Sequence, residues 1–401
     1  EIILENLYET LKDLFAASRL PLAYVDLDLL DRNIVEIIKA AKGMKIRIAT
    51  KSLRCREILE YLIKGHPDAF NGFMCFHLEE ANWLLDMGMD NILMAYPYYR
   101  SNEFEKLTNH IKMNKKISVM VDCIEHLEVL NQAAMDNYCK IPICLDLDLS
   151  IRFPFIYFGV FRSSLKSSKD VAKILMKLIE MKHLKLVGVM GYEAQIAGLT
   201  DNNPFQKLLN IPIRILKKLS IKKIHKRRQN IVKLCTDQGF ELEYVNGGGT
   251  GSLDSTSKDY SCTEVTVGSG FYSPSLFDYY KSFKYQPAAA FALEVTRKPR
   301  KGIVTCAGGG YIASGATGMD KVPMPYLPLG TKLEPNEQCG EVQTPLHLNK
   351  AAPEIQIGDP IFFRHAKAGE LCERFNELYL IKGETIQLKV KTYRGEGKCF
   401  L

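Results

Sequence analysis

Through roughly the first 285 residues, short apolar runs rich in β-branched residues alternate with longer segments of helical periodicity. The runs predict strands from Leu22 to Asp26, Lys45 to Ala49, Asp68 to Cys75, Asn91 to Ala95, Ile117 to Asp122, Ile141 to Asp148, Leu184 to Tyr192, Leu242 to Asn246 and Glu264 to Val267. Between nearly all of them, apolar residues recur three and four apart, the spacing of one buried helix face. Eight or so strands spaced by helices over about 250 residues predict an α/β chain closed as a (β/α)8 TIM barrel rather than an open sheet. Near Pro287 the pattern changes. Short alternating segments such as Ala292 to Arg297, Gly302 to Cys306, Asp359 to Phe363, Glu377 to Ile381 and Ile386 to Lys391 lie between Gly/Pro turns, which predicts an antiparallel β domain. The expected limits are 20–285 for the barrel and 286–401 for the β domain, with residues 1–19 packing near the latter.

Composition changes this picture little. The chain has 401 residues, 46% of them hydrophobic and 25% charged, which is ordinary for a globular protein. No apolar run is long enough for a membrane span, and the first residues lack the basic flank of a signal peptide, so a cytoplasmic protein without a membrane partner is expected. Eleven cysteines are scattered with no Cys-x-x-Cys, which predicts reduced thiols rather than a disulfide framework or zinc ribbon. The net charge of +7 is concentrated between Lys217 and Arg228. Leu216, Leu219, Ile221, Ile224 and Ile231 recur there at helical spacing, so this stretch reads as a solvated helix face and not a nucleic-acid site.

Two motifs carry chemistry. The strand Lys45 to Ala49 delivers Lys51 to a strand end, with Arg47 four residues earlier. Desolvation and a like charge would depress such an amine and make it nucleophilic toward carbonyls, although taken alone it reads more readily as a polar strand-end residue. The turn Asn246-Gly-Gly-Gly-Thr-Gly251 follows a strand directly, and Gly268-Ser-Gly270 follows the last one. Consecutive glycines let backbone N–H groups cradle an anion, and in a barrel a phosphate site is expected after strands seven and eight. A lysine facing a phosphate cup suits pyridoxal phosphate, held by its aldehyde at one end and its phosphate at the other.

Arg47-Ile-Ala-Thr-Lys51-Ser-Leu-Arg54, the glycine turn, the Gly268-Ser-Gly-Phe-Tyr-Ser-Pro274 segment and the terminal β domain together resemble the fold type III, alanine racemase-like pyridoxal-phosphate enzymes. Within them the chain is most similar to the D-threonine aldolase and D-serine dehydratase group. The resemblance implies that Lys51 binds the cofactor aldehyde and that Gly248, Gly249, Thr250, Ser269 and Gly270 hold its phosphate. It implies that Tyr192 lies near the cofactor and that an arginine, Arg152 or Arg162, approaches the pyridine nitrogen. It further implies His365 as a catalytic or metal-binding residue. The usual partner two residues later is Lys367 here, so Cys372 is the expected second ligand, for a divalent ion such as Zn or Mn.

The activity expected from the resemblance is lysis of a D-configured β-hydroxy amino acid, by retro-aldol cleavage or by dehydration and deamination, in a homodimer. A racemase is the alternative, with Tyr311 or Tyr326 as the second base, and a non-catalytic cofactor carrier is a third reading.

Overall fold

The computed structural model describes residues 2–99 and 102–400, so the expected outer limits at 1 and 401 lie outside the described residues. Eight parallel strands close into a barrel: β1 (Lys45–Ala49), β2 (Phe70–Cys75), β3 (Ile92–Met94), β4 (Ile117–Val121), β5 (Ile141–Asp146), β6 (Leu184–Gly191), β7 (Tyr244–Gly247) and β8 (Glu264–Val267). Closure comes from β8 pairing with β1, Val265 beside Ile46 and Val267 beside Ile48. Because side chains alternate along each strand, every second residue points into the barrel. Leu93, Met120, Cys144 and Met190 form one such inner cluster, with Tyr192 and Tyr244 packed against it. Nearer the other end Arg47 fills the interior, buried and bonded through Nε and Nη2 to Glu264 at 2.7 and 3.0 Å.

The helices form the outer shell. Leu27–Ala41 begins at Asp26, whose side chain accepts the Leu29 N–H at 3.0 Å, and Ser168–Glu180 is capped in the same manner by Ser167. The helix Lys207–Asp237 carries the basic run and supplies Arg228, which is fully buried, rather than a wholly solvated face.

The second sheet has nine strands, organised around the long strand Ala289–Arg300. Ile303–Ala307 and Pro360–Arg364 pair with it antiparallel. Leu22–Asp26 does so too, with Leu22 beside Ala292 and Val25 beside Ala289, and it pairs parallel to Glu377–Lys382 on its other side. The barrel limit expected at residue 20 is therefore displaced. This strand is the N-terminal contribution to the β sheet, and the first strand of the barrel is Lys45–Ala49. The small side chains of Ala288, Ala289, Ala290 and Ala292 leave room for it, and these four, with Phe291 among them, are fully buried. The helix Ile2–Leu14 lies on the same sheet, where the Tyr8 hydroxyl donates to the Pro360 carbonyl at 3.2 Å and Phe15 packs on Tyr24 and Phe362.

Candidate active site

The C-terminal ends of the barrel strands surround a cavity of about 560 Å3, lined by residues from both ends of the expected site. Lys51 lies one turn beyond β1, in a single turn of 3-10 helix (Thr50–Ser52), with its side chain open to the cavity. Its ammonium donates to the Tyr96 hydroxyl at 3.3 Å. The like charge expected from Arg47 is absent, because that guanidinium is neutralised by Glu264 inside the barrel. The turn is held from behind. Arg54, in the left-handed region at φ 46°, donates from Nε to the Lys51 carbonyl at 3.1 Å and pairs through Nη1 with Glu373. A non-glycine residue in that region is strained, and the two contacts offset the cost.

Gly248, Gly249, Thr250 and Ser269 line the same cavity, so the two glycine turns and the lysine do share one space. Their amides are not equivalent. The Gly248 N–H already donates to Glu193 Oε2 at 2.7 Å, and the Gly270 N–H to Thr250 Oγ1 at 2.9 Å. These two residues shape the cup, and Gly270 does not line the cavity. A Cβ added to Gly249 would come within 2.9 Å of the Tyr192 ring, and one on Gly268 within 2.5 Å of Ser52 Oγ. Close packing of backbone against neighbouring side chains is thus built into both turns, and only glycine fits. The Ser52 and Ser269 hydroxyls, 3.4 Å apart, bring the lysine turn and the last turn together. A lysine open to the cavity, a glycine cradle across it and flanking hydroxyls fit pyridoxal phosphate: Lys51 for the aldehyde, and Gly249, Thr250 and Ser269 for the phosphate.

Behind the cradle lies a buried ionic group that the sequence reading missed. Glu193, directly after Tyr192, also bonds the Thr256 hydroxyl at 3.2 Å and pairs with Arg228, which in turn pairs with Asp259. Arg228 is held more firmly protonated than an ordinary arginine, burial being outweighed by the charges around it.

Tyr192 lines the cavity at the end of β6, its hydroxyl pushed up to about 12 by burial against the opposing charge of Arg162. The Arg162 guanidinium sits 5.7 Å from the Tyr192 ring centre and faces the cavity. Arg152 does not. It lies on a small hairpin (Ile151–Arg152 with Tyr157–Phe158) in which Ile151 turns inward and Arg152, one residue on, turns to solvent. Of the two candidate arginines Arg162 is the cavity residue, and the Arg152 expectation is corrected. Asp146 and Asp122, at the ends of neighbouring strands where Leu145 pairs with Val121, also line the cavity. Burial, then the nearby Asp122 charge, raises the Asp146 carboxyl to about 7.

The expected metal pair is not assembled. His365 is buried at 3% exposure and lines a second cavity, of about 470 Å3. Neither ring nitrogen has a hydrogen-bond partner of good geometry. Burial, then the Arg364 charge, lowers its pKa to about 3 against a weak approach of the Ala368 amide, so it stays neutral. Its bare nitrogens would suit an ion, but the rest of the donor set does not. Cys372 is fully buried, donates to the Leu53 carbonyl at 3.1 Å and is pushed up to about 12 by burial, so it is a protonated thiol turned away from that cavity. A thiol ligand must be the thiolate. Lys367 lines the cavity as a cation, and the carboxylates that line it, Glu370 and Glu373, are already engaged by Ser314 and Arg54. Among the described residues, the one group of three candidate ligands is Asp122, Cys123 and His126, in which His126 Nδ1 already pairs with Asp122 at 3.0 Å.

With this geometry in place, a family model decides the lineage: the alanine racemase N-terminal domain matches residues 25–275. The chain belongs to that family of fold type III pyridoxal-phosphate enzymes. Among curated proteins, 3-hydroxy-D-aspartate aldolase of Paracoccus denitrificans is 20% identical over 249 residues, which is 62% of this chain and 59% of that protein. Among solved structures, D-threonine aldolase from Filomicrobium marinum superposes with a TM-score of 0.78 at 19% identity, over 94% of this chain and 95% of that one. A D-threo-3-hydroxyaspartate dehydratase from a Delftia species gives 0.71 at 15% identity, over 93% and 97%. Alanine racemase of Clostridium difficile gives 0.64 at 14%, over 93% and 99%. At these identities the likeness establishes the fold, including the second sheet.

Proposed function

We propose that this chain is a pyridoxal-phosphate-dependent lyase acting on a D-configured β-hydroxy amino acid, by cleaving Cα–Cβ to glycine and an aldehyde or by eliminating the hydroxyl to a keto acid and ammonia. The observation that carries the reading is that Lys51 and the Gly249–Thr250 cradle face each other across one cavity. It is supported by relatives named as an aldolase and a dehydratase of hydroxy amino acids, both more similar in fold than the racemase. Bound at Lys51, the cofactor would supply the electron sink for the pair left at Cα when a bond there breaks.

The chain's own residues do the rest. Backbone amides at Gly249, Thr250 and Ser269 fix the phosphate, and Glu193 fixes the turn that presents them. With the cofactor in place, the Lys51 ε-amine, open to the cavity, would be the group to hold or take a proton beside the substrate, and its contact with Tyr96 limits where it can swing. Tyr192 and Arg162 form one wall, and the apolar inner cluster beneath keeps the cavity floor dry. A homodimer in the cytoplasm belongs to this reading; all eleven cysteines are free thiols, which suits a reducing compartment, and among the described residues no helix is long and apolar enough to cross a membrane.

The test is turnover by the purified, cofactor-supplied protein of D-threonine, D-serine and D-threo-3-hydroxyaspartate, with D-alanine as a racemisation substrate. The reading expects aldehyde or keto acid from at least one hydroxy substrate. Racemisation of D-alanine with no lysis of the others would overturn it.

A further inference from the structure

A third cavity, of about 540 Å3, lies behind the phosphate turn, walled by the shell helices Leu27–Ala41 and Lys207–Asp237. The single turn of 3-10 helix Thr250–Ser252 separates it from the cofactor cavity, and Thr250 lines both spaces. A run of aromatic rings joins the same two spaces. Phe277 lines the cofactor cavity and stacks on Tyr280 at 5.4 Å, and Tyr280 stacks on Phe283 at 5.0 Å. Phe283 meets Tyr285 at 5.1 Å, and these last two rings line the third cavity.

The charge around it is unbalanced. Five cations and three carboxylates line the cavity. Two of the carboxylates are committed: Asp201 holds the buried Lys217 at 3.2 Å, and Asp254 pairs with Lys42 and Lys258, neither of which lines the space. The third, Glu36, is exposed and stands beside Tyr285. The remaining cations hold only neutral partners or solvent. The half-buried Arg214 donates from Nε to the Asp201 carbonyl at 2.8 Å, Lys284 donates to the Asp278 carbonyl, and Lys39 and Lys218 are exposed. Among the described residues, no carboxylate lies within ion-pair distance of any of these four. Exposed lysines alone would mark a solvated face. Here they converge with a guanidinium, whose planar fork matches a phosphate, on a concave surface that has an aromatic wall. The apolar residues Ile196 and Ile221 line it too, and low-dielectric walls concentrate a positive field.

We propose that this cavity is a second anion site, which takes a phosphate ester carrying a flat ring, of the nucleoside monophosphate class. Arg214, Lys39 and Lys218 receive the phosphate, and Phe283 and Tyr285 receive the ring. Because Thr250 belongs to both sites, an anion held here opposes the anion held by the cradle, and the two ligands weaken each other. The site itself does not need the lyase reading; its coupling rests on the cofactor reading.

The probe is AMP, titrated by calorimetry into the full chain with pyridoxal phosphate fixed at Lys51 by borohydride, so that the cradle is already filled. AMP should bind, and more tightly than ribose 5-phosphate, which lacks the ring, or adenosine, which lacks the phosphate. Arg214→Gln should weaken it about tenfold, as loss of a charge-assisted contact does. Lys39→Gln and Lys218→Gln, at exposed positions where the fold is insensitive, should each weaken it several-fold. No binding with the cradle filled, either fragment binding as well as AMP, or an unchanged affinity in all three variants would overturn the site. In the unreduced protein, saturating AMP should weaken pyridoxal phosphate several-fold, and the cofactor should weaken AMP by the same factor, in the wild type and not in Arg214→Gln. An unchanged cofactor affinity would overturn the coupling. If the protein takes up no pyridoxal phosphate, the cofactor reading falls by itself, and AMP binding to the unloaded chain, weakened or not by Arg214→Gln, decides the site.

Discussion

Glu193 Oε2 accepts the Gly248 N–H at 2.7 Å, and so a buried carboxylate, not the cofactor, sets the shape of the phosphate turn. Gly248 holds φ 93°, a conformation that favours glycine, and Glu193 is fixed in turn by Arg228 from the far side of the shell. Glu193→Gln would keep the shape and remove the charge. Because it leaves Arg228 with Asp259 alone, a loss of about 3 kcal/mol in unfolding free energy is expected, together with weaker pyridoxal-phosphate binding. Chemical denaturation and a fluorescence titration of the cofactor measure the two, and unchanged values in both would remove Glu193 from the account.

Gly249 tests the cradle from the other side. In Gly249→Ala the added methyl must displace the Tyr192 ring or Ala197, whose Cβ lies 3.0 Å from its position. Overpacking of this kind costs about 1–3 kcal/mol, and here the strain falls on the phosphate cup. Cofactor affinity should drop by more than the melting temperature suggests. A variant that binds pyridoxal phosphate like the wild type would show that the turn is merely a turn.

Much of this was legible in the sequence. The alternation of apolar runs and helical segments encodes the barrel, and Lys51, Gly248, Gly249, Thr250 and Ser269 stand where strand-end reasoning puts them. Leu22–Asp26 was not legible as a strand of the β domain, since four buried apolar residues pair as well in either sheet and only the distant segment from Ala288 to Ala292 decides. Arg228 sits in a charge run that reads as solvent-facing, and the register of a 31-residue helix settles which cation turns inward. Tyr96 had a readable signal, being the first residue past a predicted strand end, as did Glu193 after Tyr192. The His365 and Cys372 pairing failed because spacing along a chain does not say which way a thiol turns.

The two arginines give a direct contrast. Arg162→Ala removes a cavity wall and the charge that favours ionisation at Asp146, and should lower kcat/KM about tenfold or more, since a guanidinium on an aromatic face has no substitute. Arg152→Ala should stay within about twofold, as an exposed hairpin residue does. Steady-state kinetics on one hydroxy substrate decides, and the reverse order would restore Arg152 as the cofactor arginine.

Asp146 predicts a pH signature. Its carboxyl titrates at about 7 in the folded chain and near the ordinary 3.8 when unfolded. Between those values the folded state holds the proton that the unfolded state has lost, so this group makes stability fall as pH rises through the window and then level off above 7. Asp146→Asn should therefore match the wild type near pH 3.5 and exceed it in stability near pH 8. Thermal melts of both proteins across that range would show it, and a constant difference at every pH would contradict the assignment.

The central claim is that Lys51 binds pyridoxal phosphate across the cavity from the Gly249–Thr250 cradle. The most direct measurement is the absorbance spectrum of the purified protein supplied with the cofactor. The account predicts a bound-cofactor band near the edge of the visible in the wild type, lost on borohydride reduction, which leaves a covalent adduct on Lys51, and absent in Lys51→Ala although that variant still folds. No band in the wild type, or the same band in Lys51→Ala, would contradict it.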